Sequence, residues 1–440
     1  MSKIEVVWFK DLDLWSVALQ NQSQIKSNFP LCYLSEVLED LTESRKITIN
    51  DSLYYKEPTI SSKNNTISVR KKGYGKEFKV KRRVKILPGD LVIAKMHTQN
   101  GLYAISQDEF ASTSTFIPFR ILDNINKDYL FAILKKTLSR LVKFDSVNRE
   151  TYTTSEILKL KIPLPPLEIQ REIVEKIKNI QDKIKALQDE EKRLKEEIEA
   201  YLYITLGLER KQEKKKQKVF VMEFKNLDRW DVVYNQNYNE YSLTNNKYQL
   251  SKIDDICFIN PNVDFKALIQ NDAKVSFLPM EDVSSNGINY FSKERNAIES
   301  KGFTKFQNGD LLWAKITPCM QNKKSVVVDN LLNGNGFGST EFFVLRAKNK
   351  NEVDIKFVLH FLRLNSVIEE AKLNFKGSAG QQRVPKSFLE NLSIPLPPLE
   401  IQKQIVEHIE SKQKIIEDNK YKIENLQSDI NKELQELILA

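Results

Sequence analysis

Cysteine is scarce in these 440 residues: only Cys32, Cys257 and Cys319, odd in number and far apart. Such spacing frames neither a disulfide scaffold nor a zinc cluster, and it suits a reducing cytoplasm. No apolar run approaches the roughly 18–20 residues that a membrane span needs. The opening MSKIEVVWFKDLD mixes acids with its apolar residues, unlike the basic-then-apolar layout of a signal peptide. Catalytic signatures are missing too: there is no HExxH, GxSxG or Walker A pattern. Asn260-Pro261-Asn262-Val263 departs at two positions from the Asn/Asp-Pro-Pro-aromatic turn with which amino-methyltransferases hold a target amine. Glu223-Phe224-Lys225 supplies only the last part of the carboxylate pattern of metal-dependent nucleases. The expectation is a chain without catalysis and with no metal or cofactor of its own.

What is present is a duplication. The nonamer IPLPPLEIQ occurs at 162–170 and again, unchanged, at 394–402. It fades into REIVEKI and KQIVEHI, where Ile173/Ile405, Val174/Val406 and Ile177/Ile409 persist. FKDLDLWSV at 9–17 is answered by FKNLDRWDV at 224–232, PGDLVIAKM at 88–96 by NGDLLWAKI at 308–316, and Ser112-Thr113 by Ser339-Thr340. These colinear matches define a tandem pair. The three histidines, His97, His360 and His408, match nothing in the other copy, and Lys176 stands where His408 does. That argues against ligand or catalytic roles.

Behind each nonamer runs a rod. Between Pro166 and Gly207 there is neither Pro nor Gly, and Ile173, Ile177, Ile180, Ile184, Leu187, Glu191, Leu194, Ile198 and Tyr201 alternate at spacings of four and three. Residues 399–440 also lack both, with Ile405, Ile409, Lys412, Ile416, Asn419, Ile423, Leu426, Ile430 and Leu437 in the same pattern. Each set is an a/d seam, and a 40-residue helix spans roughly 60 Å. The seam is narrower than the stripe of a helix lying on a globular core. The two rods are therefore expected to pair as a coiled coil, and two like units related by a pseudo-twofold axis favour antiparallel packing. Aligning opposite ends sets Ile180 against Ile423, Leu187 against Ile416, Leu194 against Ile409, and Glu191 against Lys412.

The modules ahead of the rods read as mixed α/β. Short apolar runs at 84–86, 91–94 and 325–328 lie among the turns Pro88-Gly89-Asp90 and Asn308-Gly309-Asp310, and amphipathic helices fit 128–141 and 354–364. The resulting division is a first module at 1–161, a helix at 162–207, a basic linker at 208–219, a second module at 220–393 and a second helix at 394–440. RKQEKKKQK within that linker is most simply solvated.

Net charge is +9 and the pI about 9.0, which favours a polyanionic partner without singling one out. Residues 69–85, VRKKGYGKEFKVKRRVK, are more telling. As one strand, Lys79, Lys81, Arg83 and Lys85 would form a basic stripe beside Arg82, suited to phosphates and guanine edges. A solvated charged hairpin is the alternative. Lys95, Lys315 and the pair Lys323-Lys324 are the further basic candidates. Polar loops precede both nonamers, one with Arg149 and Tyr152, the other with Gln381, Gln382 and Arg383. Such residues read bases, and they also compose ordinary surface loops.

Two variable modules, each followed by a near-identical helix opening I-P-L-P-P-L-E-x-Q, resemble the specificity subunits of type I restriction–modification systems across essentially the whole chain. The one departure, shared by both copies, is Ile169 and Ile401 where the family uses Glu. The resemblance implies two target recognition domains, each reading half of a split double-stranded DNA site. It also implies an antiparallel helical spacer that docks two methyltransferase subunits, with restriction subunits joining them. S-adenosylmethionine would be held by the methyltransferase partners. Competing readings are a specificity subunit of a type IIB/IIG-like restriction–methylation enzyme, and a coiled-coil scaffold that binds only proteins.

Overall fold

The computed structural model describes residues 27–61, 64–141, 151–208, 247–378 and 380–439. The two FK-containing repeat segments, the linker beyond Leu208 and Arg149 lie outside these residues. By its contacts the chain divides into residues 1–187 with 421–440, and residues 188–420. The division cuts both rods, so each unit holds part of each.

In the first unit a four-stranded antiparallel sheet runs in the order Leu38–Asp40, Phe116–Ile121, Leu91–Ala94, Tyr103–Ile105. Leu91, Ile93, Ile117 and Phe119 bury one face of it under Tyr129, Ile133 and Leu134 of the helix Lys127–Leu138. Each such side chain contributes about 1.5–3 kcal/mol on burial. Asn126 caps that helix, its side chain accepting from the amides of Asp128 and Tyr129. A second sheet aligns Lys46–Thr48, Arg82–Ile86 and Phe110–Ser112, and a separate hairpin pairs Tyr54–Ser61 with Thr66–Tyr74.

The second unit repeats the main sheet as Cys257–Ile259, Phe342–Ala347, Asp310–Ala314, Ser325–Val328. Leu311, Trp313, Phe343 and Leu345 pack on Phe357 and Phe361 of the helix Ile355–Leu362. Its second sheet has four strands, Lys293–Asn296, Lys274–Leu278, Asn335–Gly338 and Thr304–Gln307. The glycines of that third strand let backbones meet: a Cβ on Gly338 would lie 2.0 Å from the Leu278 carbonyl oxygen. Close approach there serves strand pairing.

The repeated turns share one device. Gly89 and Gly309 take positive φ, and the following aspartate is buried, with Asp90 accepting from the Leu87 amide at 2.7 Å and Asp310 from the Gln307 amide at 2.8 Å. Arg45 neutralises the first at 3.0 Å, and Arg346 grips the second through two hydrogen bonds of 2.7 and 2.8 Å.

The nonamer has an equally physical basis. Ile162 and Ile394 are fully buried in short strands paired with Leu31–Tyr33 and Leu250–Lys252. The rods Leu167–Leu206 and Leu399–Leu439 start just after the proline pairs. Gln170 and Gln402, both wholly buried, tie the rod to its module. Gln170 donates to the Pro165 carbonyl at 2.7 Å and accepts from the Asn126 amide at 2.6 Å. Gln402 donates to Pro397 and Glu352, and accepts from the Asp354 amide, each at 2.8 Å.

Both seams face inward. Ile173, Ile177, Leu194, Ile405, Ile409, Ile416 and Ile423 are buried; Ile180, Ile184, Leu187, Ile198, Leu426 and Ile430 are half-buried. Within the second unit Glu190 meets Asn419 (2.9 Å), Glu197 meets Lys412 (2.7 Å) and Tyr201 stacks on His408 (3.9 Å). Within the first, Lys176 faces Glu433 at 3.7 Å. Rising numbers on one rod meet falling numbers on the other, so the packing is antiparallel. The expected register is wrong: Lys412 pairs with Glu197, six residues from Glu191. Glu191 instead pairs with Lys195 one turn along its own rod. It makes its ion pair within its own rod, while the seam residues Lys412 and the buried Asn419 both meet the opposite rod.

All three cysteines are free thiols, with burial pushing Cys32 up to about 11 and Cys257 up to about 12. Among the described residues no cluster of His, Cys, Asp or Glu could hold a metal, and no helix is long and apolar enough to cross a membrane.

Candidate nucleic-acid interface

In each unit the same strand end meets the polar segment before the nonamer, at Thr151-Tyr152 in the first and Arg383-Val384 in the second. After Leu91–Ala94, the Lys95 carbonyl accepts the Tyr152 amide at 2.9 Å, and Met96 bridges Thr151. After Asp310–Ala314, the Lys315 carbonyl accepts the Val384 amide at 2.9 Å, and Ile316 bridges Arg383. Lys95 and Lys315 also donate their amides to equivalent loops, at Thr115 (2.8 Å) and Glu341 (2.9 Å). Divergent sequences thus build one platform twice.

The side chains there do different work. Tyr152, expected at the surface, is buried and its hydroxyl donates to the Leu141 carbonyl at 3.0 Å, so it faces its own module. Arg383 forks onto Glu341 through Nε and Nη2 at 2.8–3.1 Å and donates Nη1 to the Gln381 carbonyl at 3.0 Å. That carboxylate holds the guanidinium above its ordinary pKa. Arg383 therefore shapes the loop, and Gln381 is among the exposed side chains it presents. Half-buried Gln382 accepts the Thr317 amide through its carbonyl at 2.9 Å. The Lys315 ammonium lies over the Phe343 ring at 5.3 Å. Lys324 donates to the Met280 carbonyl at 2.8 Å, and Lys323, at positive φ, has its pKa lowered by burial.

The expected stripe of residues 79–85 is not a stripe. The strand begins only at Arg82. Arg83 points inward, 5% exposed, held by Glu57 at 2.8 Å and the Val80 carbonyl at 3.0 Å and lying over Phe78. Lys81 pairs with Asp51, and Lys85 with Glu109 at 3.0 Å. Charge alternation along a sequence says nothing of carboxylates such as Asp51, Glu57 and Glu109, which lie elsewhere in the chain. Lys79 and Arg82 remain exposed with no ion-pair partner among the described residues.

Comparison with known proteins sets this geometry in a family. The family model for the type I restriction modification DNA specificity domain matches twice, over residues 34–200 and 245–428. The chain belongs to the type I specificity-subunit family. The type I restriction enzyme EcoAI and EcoEI specificity subunits of Escherichia coli are 37% and 35% identical to it over 153 and 156 residues. These matches span about a third of this chain but only 25% and 26% of those relatives. A putative type I restriction enzyme MjaX specificity subunit from Methanocaldococcus jannaschii is 20% identical over 95% of this chain and 94% of its own. A solved chain from work on complex assembly and conformational transition of the type I R-M system matches with a TM-score of 0.55 at 16% identity. It covers 95% of this chain and 99% of that one, a likeness of fold.

For a specificity subunit, sequence reasoning overlooked two features. One is the buried glutamine lock, whose only signal is a glutamine kept unchanged at the end of both copies of the nonamer. The other is the cross-strand pair Tyr54 and Tyr74, both about half exposed with ring centroids 5.5 Å apart.

Proposed function

We propose that this chain is the non-catalytic DNA-reading subunit of a type I restriction–modification complex. Residues 1–161 and 220–393 each recognise one half of a split, asymmetric double-stranded site. The rods fix the separation of the halves and dock two methyltransferase subunits, to which restriction subunits add. The methyl donor, S-adenosylmethionine, belongs to the methyltransferase partners. The observation that carries this reading is the repeated platform of strand end and polar loop, built on different side chains behind identical rod openings. A protein that preserves the scaffold and varies the presented residues discriminates between targets. Lys79 and Arg82 in the first module supply phosphate contacts, and Gln381 in the second reaches base edges. The test is an electrophoretic shift of duplex DNA by the chain together with its methyltransferase partner. Binding that discriminates among duplexes is expected. A complex that assembles yet ignores DNA is the protein-only scaffold and defeats the reading.

A further inference from the structure

The hairpin of Tyr54–Ser61 and Thr66–Tyr74 has no counterpart among the described residues of the second unit, where Lys274–Leu278 and Lys293–Asn296 join a four-stranded sheet instead. Its two faces differ sharply. Cross-strand register puts Tyr55, Glu57 and Lys71 on one side. That side leans on the module, with Lys71 at its exposed rim: Tyr55 packs on the Ile49–Phe78 cluster, Glu57 holds the buried Arg83, and Lys71 lies over Phe78.

The opposite side carries Tyr54 beside Tyr74 and Lys56 beside Lys72. The register shift at Glu57/Pro58 makes Arg70 the extra residue, and it is highly exposed, with Glu57 no nearer than 3.6 Å. Lys72 has no ion-pair partner among the described residues. Neighbouring carboxylates are engaged: Asp108 by Lys56, Glu57 by Arg83, and Glu77 by the Tyr74 amide at 2.8 Å. A solvated face needs charge but does not need two rings, and a protein-docking face would not concentrate one sign of charge. Cations and aromatic rings together on a two-stranded ribbon match duplex DNA, whose major groove, about 12 Å wide, admits such a ribbon.

We propose that this face of the hairpin enters the major groove of the half-site read by the first module. Lys72 and Arg70 meet phosphates and base edges, and the Tyr54–Tyr74 pair lies against the groove wall. The inference rests on the DNA-reading function proposed above and names the element that performs it. The full chain, assembled with its methyltransferase partner, would be titrated with labelled random-sequence duplex DNA at several salt concentrations, and its preferred duplexes selected from the same pool. The double variant Arg70→Gln/Lys72→Gln should flatten the log–log salt slope by about 1 to 2 and weaken binding roughly tenfold or more. Tyr54→Ala/Tyr74→Ala should degrade selection at one half-site only. Lys127→Gln, an exposed charge on the helix Lys127–Leu138, is the control. Because Arg70 and Lys72 are solvent-facing, their glutamine variants keep the fold, which a melting curve verifies. If the double variant behaves as the control does while the wild type binds, the hairpin proposal falls and the DNA-reading function stands. If the wild type fails to bind duplex DNA, both fall.

Discussion

Replacing Gln402 with leucine removes the lock between the second rod and its module while conserving side-chain volume. The change strands the Asp354 amide and the carbonyls of Glu352 and Pro397, all now bonded at 2.8 Å to a fully buried side chain. Each buried group left unpaired costs about 1–3 kcal/mol, against about 1–2 kcal/mol gained from a more apolar side chain. The net loss is about 3 kcal/mol, or roughly 6–12 °C in melting temperature for a unit of this size. Asp354 also caps the helix Ile355–Leu362, so the damage spreads into the core around Phe357 and Phe361. Urea denaturation and calorimetry of the full chain measure it. Gln413 provides the contrast: it is 8% exposed, donates once to the Asn286 carbonyl at 3.1 Å, and has an unpartnered Oε1. Leucine there should cost under about 1 kcal/mol. Equal effects at the two positions would show that burial, not the hydrogen-bonded lock, governs the site.

Arg83→Ala should destabilise the first unit by about 3 kcal/mol in urea titration, because it leaves Glu57 half-buried without its partner, and should leave the salt slope of DNA binding unchanged. Charge reversal at Glu197 and Lys412 should show coupling in a double-mutant cycle, with the exchanged pair recovering stability, whereas Glu191 and Lys412 should behave additively. Glu370 is pushed up to about 7 by burial. The folded state keeps its proton where the unfolded chain has released it, so stability falls as pH rises from about 4.5 to about 7. Glu370→Gln should remove that slope, the difference from wild type growing across the window and levelling above it; a pH-independent difference contradicts the assignment.

The rods were legible because two signals agree: a long stretch without Pro or Gly, and an a/d pattern that only a helix can use. Their register was not. A heptad seam looks alike after a slide of about one repeat, and the true register is set by pairs such as Glu190–Asn419 and Glu197–Lys412 between residues distant in sequence. The α/β modules were visible in their buried strands, with Leu91–Ala94 and Ser325–Val328 found at their predicted limits and the two helices ending two or three residues early. The interface was only partly legible. Basic residues announce a charged segment, yet whether Arg83 or Lys79 reaches solvent depends on Glu57, Val80 and Phe78 folding over one of them. Tyr152 and Arg383 read as surface groups by type, and both turned out to be engaged within their own modules.

The proposed function requires two independent readers on one scaffold. It is tested most directly by exchanging residues 1–161 for the equivalent module of a related specificity subunit, assembling the chain with its methyltransferase partner, and selecting bound duplexes from a random pool. One half of the selected site should change while the other half and the gap between them stay as in the wild type. A functional complex in which both halves change, or neither does, would contradict the account.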